Sequence, residues 1–151
     1  MVAMTGAISG CAALHRAPMA QVQESATELN TNARFGRFSL ASEYVDPAHR
    51  TVFNERHKGW GSRIRVVDLE MENIRSLPND DVEVLVRLLW TFADGQDLRT
   101  TVLLQKWRNK MGWRLTDEQR YDGEPGIFGE KIETLAPTAN ASSRFATIRL
   151  E

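Results

Sequence analysis

The sequence predicts an α+β domain in which N-terminal helices pack on a curved antiparallel β-sheet, and three observations predict it. From Val82 to Phe92 every second residue is apolar (Val82, Val84, Val86, Leu88, Trp90, Phe92), with Glu83, Leu85, Arg87, Leu89 and Thr91 between them. A period of two with one wholly apolar face marks a strand that covers a core. Turn signals at Asp94-Gly95-Gln96-Asp97 and Lys110-Met111-Gly112 then divide the chain into further strands over 98–109 and 113–121. Ahead of the strands, Val22, Ala26, Leu29 and Ala33 recur at steps of four, three and four, one stripe of an amphipathic helix.

The 151 residues suit one domain with tails. A hydrophobic content of 42% and a charged content of 26% are those of an ordinary globular core with a solvated surface. Net charge is −1 with both signs interspersed, so no basic stripe points to nucleic acid. The single cysteine, Cys11, rules out an internal disulfide and a cysteine-based zinc site. No apolar run approaches the ~20 residues that span a bilayer.

In chain order, residues 21–33 form the first helix, whose thin apolar stripe suits packing against a sheet. Gly36 interrupts it. Phe38, Ala41 and Val45 continue a short second helix, with Leu40 and Tyr44 beside them. Asp46-Pro47 restarts the chain, Asp46 as a cap and Pro47 at the first helical position. The third helix runs from Pro47 to about Lys58 with Val52 and Phe53 inward, and Gly59 fits its C-cap. Residues 63–77 form the first strand. Ile64 and Val66 share one parity and Val67, Leu69 and Met71 the other, so a β-bulge after Val66 is needed to restore a single apolar face. Pro78-Asn79-Asp80 is a turn, and the second strand spans 82–93.

The register after the second strand has two solutions. A two-residue Asp94-Gly95 turn and a five-residue loop place opposite faces of 98–109 against Val82–Phe92. The longer loop is preferred because it sets Phe92, Trp90, Leu88 and Val86 opposite Leu98, Thr100, Val102 and Leu104. The other face then carries Leu85, Leu89, Leu103 and Trp107 with Arg87, Arg99 and Gln105, too apolar to stand uncovered in water. Beyond residue 122 the pattern fades. Ile127-Phe128 is an anchor onto the sheet, Pro137–Ser143 is linker-like, and 144–151 alternates as a short strand or helix would. The organisation is thus an N-terminal segment over 1–20, the α+β domain over 21–121, and a partly packed tail over 122–151.

Two stretches resemble known families. Ile8-Ser9-Gly10-Cys11 resembles a bacterial lipobox, in which small residues precede a cysteine that takes a lipid and becomes the new amino terminus. That resemblance implies lipidation of Cys11, with Ala12 matching outer-membrane sorting on the periplasmic face. Ten residues precede Cys11 and none is Lys or Arg, which departs from a signal peptide. The alternative is a terminal segment with an incidental cysteine, and a cytoplasmic protein. The order of long helix, short helix, third helix and antiparallel meander, with the run Gly36–Pro47 ending in Tyr44-Val45-Asp46-Pro47, resembles the nuclear transport factor 2-like superfamily of cone-shaped α+β domains. That resemblance implies helices closing one side of a bent sheet. Its members include pocket enzymes of isomerase, cyclase or hydrolase type and many non-catalytic binding or assembly modules, so it does not choose between them.

No residues form a recognisable catalytic set. Asp68, Glu70, Glu72 and Glu118 fall on predicted strands, the first three facing solvent. His49 and His57 lie eight residues apart on nearly one helix face, an acid–base or metal pair at most, and otherwise surface histidines. No third ligand is placed by spacing, so no metal or cofactor is expected. Trp60, Trp90 and Trp107, with Tyr44, either line a pocket or fill the core. Arg87 and Arg99 either bind an anion together or pair with neighbouring acids. The expectation is a non-catalytic, envelope-associated binding or assembly module that acts through a protein partner or self-association, anchored by lipid on Cys11. The alternative is a pocket enzyme or a small-ligand-binding domain of the same fold.

Overall fold

A computed structural model describes residues 18–132. Cys11, the 137–143 linker and the alternating 144–151 segment lie outside the described residues. Over these described residues the chain is α+β: three helices precede a four-stranded antiparallel sheet in the order β1-β2-β3-β4. The helices are α1 (Pro18–Arg34), α2 (Phe38–Ala41) and α3 (Arg50–His57). The strands are β1 (Ile64–Ser76), β2 (Val82–Phe92), β3 (Arg99–Asn109) and β4 (Trp113–Gly123).

The α1 stripe forms as its spacing dictates, and Val22, Ala26, Leu29 and Ala33 are fully buried. Asn30 and Asn32 are also buried on this helix. The third helix divides in two. Asp46 accepts a hydrogen bond from the Ala48 amide at 3.0 Å and caps a 3-10 turn over Pro47–His49, and α3 begins only at Arg50. Phe53 and His57 face inward, whereas Val52, expected inward, is 43% exposed. Four residues separate Phe53 from His57, so they share a face that Val52, one residue off, cannot join. The turn after α3 is held at Gly61 (φ +73), where a Cβ would stand 3.0 Å from the Gly36 amide nitrogen of the turn ending α1. A side chain does not fit, so the two turns close on each other and join the helical layer to the start of the sheet.

The bulge in β1 is present: the pairing with β2 shifts between Val66 and Asp68, and again between Met71 and Asn73. Leu69, Met71 and Ile74 are thereby returned to the face of Ile64 and Val66. Val67 is the extra residue and is 39% exposed, not inward. Arg34 donates from α1 to the carbonyls of Val66 and Val67, closing the bulged part of this edge strand. The short segment after α2 also joins the sheet, since Val45 bridges Leu115 in parallel and the Asp46 amide donates to the Leu115 carbonyl at 2.8 Å.

The β2–β3 register differs from the preferred expectation by one residue. Trp90 pairs with Arg99, Leu88 with Thr101, Val86 with Leu103, Val84 with Gln105 and Val82 with Trp107. Leu103, Gln105 and Trp107 therefore face the helices and are fully buried. The outward face carries Leu85, Leu89, Val102 and Leu104. This is the parity of the two-residue-turn solution, although pairing stops at Trp90 and Arg99 and 93–98 form a longer loop. Two forces select it: burial of the large Trp107 ring, and a set of buried polar partners for Gln105 described below.

Candidate functional site

Between the helices and strands β3 and β4, four polar side chains enter the core. Asn30 comes from α1, His57 from the last turn of α3, Gln105 from β3 and Glu118 from β4; each is 1% exposed or less. Glu118 is inward because β4 is bulged. Trp113 and Leu115 pair with Asn109 and Trp107, the register then slips opposite Lys106/Trp107, and Glu118 comes to face Gln105. Strict alternation from Trp113 and Leu115 points Asp117 inward and Glu118 out; the extra residue, Thr116, reverses this.

The four residues form one connected network. Gln105 Nε2 donates to Glu118 Oε2 at 2.6 Å and to Asn30 Oδ1 at 2.8 Å. Asn30 Nδ2 donates in return to Gln105 Oε1 at 3.1 Å and to the Ala26 carbonyl at 2.7 Å. His57 Nδ1 lies 2.8 Å from the Phe53 carbonyl, which only accepts, so this nitrogen carries a hydrogen. Nε2 stands 3.0 Å from Glu118 Oε1, in close contact but not aligned for a hydrogen bond. Burial by itself raises the Glu118 carboxyl, but the His57 charge and contact, the Gln105 hydrogen bond and the Arg56 charge outweigh it and hold the carboxyl below its usual value. Arg56 also donates to the Glu118 backbone carbonyl.

This pair is sealed by rings. The His57 ring stacks on Phe53 at 4.0 Å and meets Trp60 and Phe128 edge-on at 4.5 and 5.3 Å. Trp60 Nε1 donates to the Ile127 carbonyl at 2.8 Å, which ties the segment after β4 to the turn that follows α3. Ile127 is fully buried, as the anchor expectation requires. Glu130 accepts from the Gly126 and Phe128 amides at 3.0 and 2.8 Å, closing that loop on itself.

Outside the seal lies an open groove of about 860 Å³ between the end of α3, the start of β1, the β2–β3 loop and the loop around Phe128. Ile64, Phe92 and Phe128 give it apolar surface, and Arg63 and Asp94 give it charge. The other charged lining groups are engaged: Lys58 with Glu55, Arg56 over the Phe128 ring, and Glu130 as above. Phe128 thus lines the groove on one side and covers His57 on the other.

The residues singled out from sequence separate into core and surface. Trp60, Trp90 and Trp107 are core, with Trp90 Nε1 donating to Thr101 Oγ1 at 2.9 Å and Trp107 Nε1 buried without a hydrogen-bond partner among the described residues. Tyr44 is half-buried against that core. Arg87 is on the outward sheet face and pairs with Glu72. Arg99 is on the opposite face, 3.1 Å from Glu124 and over the rings of Trp90 and Phe92. The two arginines therefore form no shared anion site. His57 is no surface histidine but the centre of the buried network, whereas His49 is half-buried and its Nε2 has no hydrogen-bond partner among the described residues. Among the described residues no group of three or more His, Cys, Asp or Glu is arranged to hold a metal, and no helix is long and apolar enough to cross a membrane. The one usable signal for the missed network was in α1, where Asn30 falls beside Leu29 on the apolar stripe.

Comparison of the chain with protein-family models, with characterised proteins and with solved structures gives no match.

Proposed function

We propose that this chain is a non-catalytic binding module of the cell envelope, with a nuclear transport factor 2-like cone as scaffold and a lipid on Cys11 as anchor. One observation carries the binding reading: the acid–base pair is closed off by Phe128 and Trp60, while the open groove beside it offers apolar surface and, in Arg63 and Asp94, charges with no ion pair among the described residues. A catalyst needs its acid or base within hydrogen-bond reach of a substrate; a binding site needs concave apolar surface with a few polar groups. The groove meets the second requirement. Three helical segments laid over one face of an antiparallel meander support the cone scaffold, and Ile8–Cys11 supports the anchor. The ligand is a protein segment carrying apolar side chains and at least one charge of each sign.

A photo-crosslinking residue at position 63, with one at the exposed position 23 on α1 as control, tests the groove in cells. A discrete protein adduct at 63, absent at 23 and lost with Phe92→Asp, supports it; equal labelling at both positions, or none at 63, refutes it. The anchor is tested separately by fractionation, where Cys11→Ser moves the protein from the membrane pellet to the soluble fraction.

A second reading, a pocket enzyme, is favoured by the buried His57–Glu118 pair, because titratable pairs with perturbed environments concentrate at active sites. It requires the loop around Phe128 to lift. Diethyl pyrocarbonate acylates accessible imidazoles. If the site is sealed, peptide mass spectrometry finds no modification of His57; modification at rates comparable with an exposed histidine favours the enzyme.

A further inference from the structure

We infer that the turn Phe35-Gly36-Arg37, with Arg34 and Arg65 beside it, is the folded domain's own contact with an anionic membrane surface. It rests on the envelope reading above for its target and is independent of the groove and of a lipid on Cys11. Residues 34–37 and 61–67 meet where Gly36 and Gly61 touch. Together these two segments carry four arginines and no acidic residue, in a chain whose net charge is −1. Arg63 lines the groove, and the other three arginines lie outside it.

The turn is fixed in advance. The Arg37 amide donates to the Asn32 carbonyl and the Gly36 amide to the Ala33 carbonyl, both at 2.9 Å, with Gly36 at φ +70. This is a Schellman ending for α1, in which the residue after the glycine commonly packs an apolar side chain back on the helix. Here that residue is Arg37, and the aromatic residue stands before the glycine instead. Phe35 is 56% exposed. The Cζ atoms of Arg34 and Arg37 lie 5.3 and 5.1 Å from the centroid of its ring. A guanidinium over a ring keeps an N–H edge for an anion. Arg34 uses Nε and Nη2 on the Val66 and Val67 carbonyls, which leaves Nη1 and draws the exposed Val67 toward the turn. Arg37 and Arg65 have no side-chain hydrogen bond or ion pair among the described residues.

Shape and charge together select the occupant. A peptide side chain or a small molecule takes its affinity from concave surface, and Phe35 lines no part of the groove. A bilayer suits the opposite arrangement, an outward aromatic at headgroup depth with cations beside it. Each free guanidinium edge matches a lipid phosphate by paired N–H bonds. One ring and three cations give weak, reversible binding, so the contact orients an anchored domain and does not hold the protein on the membrane by itself.

Sedimentation of the full-length Cys11→Ser protein with sucrose-loaded vesicles tests this, and the serine keeps any lipid anchor out of the measurement. Vesicles of phosphatidylcholine with about one third phosphatidylglycerol are expected to carry the protein down, those of phosphatidylcholine alone are not, and salt is expected to weaken the binding. Arg37→Gln with Arg65→Gln, both exposed positions, is expected to lower the partition coefficient at least about twentyfold, at about fivefold for each arginine. Lys106→Gln with Arg114→Gln removes the same charge near the end of β3 and the start of β4, and is expected to change it less than about twofold. Phe35→Ser is expected to weaken binding severalfold with its salt dependence kept, and thermal melts check that each variant is folded. Equal losses from the two double variants, wild-type binding by Phe35→Ser, equal binding to neutral vesicles, or no binding overturns the inference. So does capture by a glutamate-rich peptide that anionic vesicles fail to displace, because the occupant is then an acidic protein segment. Fractionation keeps the two readings apart. A protein without lipid on Cys11 that binds these vesicles removes the anchor and leaves the turn; a lipidated protein whose Cys11→Ser form ignores them removes the turn alone.

Discussion

The two halves of the sheet's inner face are built on different terms. On β1 and β2 the paired inward residues are apolar: Val66, Leu69, Met71 and Ile74 lie against Trp90, Leu88, Val86 and Val84. On β3 and β4 the inward row alternates size and polarity, with Leu103, Gln105 and Trp107 beside Glu118 and Leu115. The first half is stabilised by transfer from water and tolerates any close-packed apolar set of the right volume. The second half requires each polar group to meet a specific partner, because an unmet buried carboxylate or amide carries its full desolvation cost. The first kind of core specifies a face, and the second specifies a register. Slipping β3 by one residue keeps an apolar row of Val102 and Leu104, but it removes Gln105 from both Asn30 and Glu118.

The largest effect expected from this contrast is at Glu118. Glu118→Ala leaves the His57 ring and Gln105 buried without their carboxylate and is expected to cost about 3–5 kcal/mol. Leu88→Ala, a fully buried deletion on the apolar side, falls in the range of about 2–5 kcal/mol set by how far the cavity collapses. Because the two ranges overlap, the mechanism is separated by rescue. In urea denaturation, His57→Leu with Glu118→Leu recovers much of the stability lost in Glu118→Ala, since a buried polar pair replaced whole by apolar groups is near neutral. No apolar second substitution rescues Leu88→Ala except by refilling its volume. Failure of the double leucine variant to improve on Glu118→Ala would show that the pair is held by packing rather than by charge.

The same contrast explains what could be read from the residues alone. The helical stripe at Val22, Ala26, Leu29 and Ala33 and the even-numbered row of β2 were legible because each is apolar at a fixed period. The β1 bulge was legible because the apolar parity itself changes between Val66 and Val67. The β4 bulge was not, because Thr116 and its neighbours Asp117, Glu118 and Gln119 are polar on both parities, so no apolar phase exists to break. The β3 register was lost for a related reason. The even row of Leu98, Thr100, Val102 and Leu104 looks more apolar than the odd row of Thr101, Leu103, Gln105 and Trp107, and only tertiary partners make the odd row the inward one. Both failures fall at the buried network, where the structure breaks local patterning rules, as functional or specificity-determining sites do.

Acid sharpens the comparison with a smaller effect. The Glu118 carboxyl, against burial that raises it, is held below its usual 4.5 by His57, Gln105 and Arg56. A folded carboxyl depressed in this way contributes stability that is fully present above the unfolded value and is lost as pH falls through 4.5 toward the folded value. Asp46, bonded to Lys110, and Asp81, bonded to Arg108, are also lowered, and both remain in a Glu118→Gln variant. Wild type is therefore expected to lose more stability than Glu118→Gln between about pH 6 and pH 3. Parallel stability curves for the two proteins would remove Glu118 as a source of acid sensitivity.

The smallest expected effect lies on the outward face, where the polar contacts are of another kind. Arg87 pairs with Glu72 across β1 and β2, and their side chains are 50% and 28% exposed. Water screens this pair, and two long side chains lose freedom in forming it, so Glu72→Gln is expected to change stability by less than about 1 kcal/mol. Raising the salt concentration should shrink that difference further, whereas the Glu118→Ala loss should persist in high salt because the His57–Glu118 contact is shut off from ions. The salt dependence therefore separates the two faces even where the magnitudes of single substitutions do not. A Glu72→Gln penalty as large and as salt-insensitive as that of Glu118→Ala would mean that the outward row of Leu85, Leu89, Val102 and Leu104 is covered in solution, and that the Arg87–Glu72 pair is buried with it.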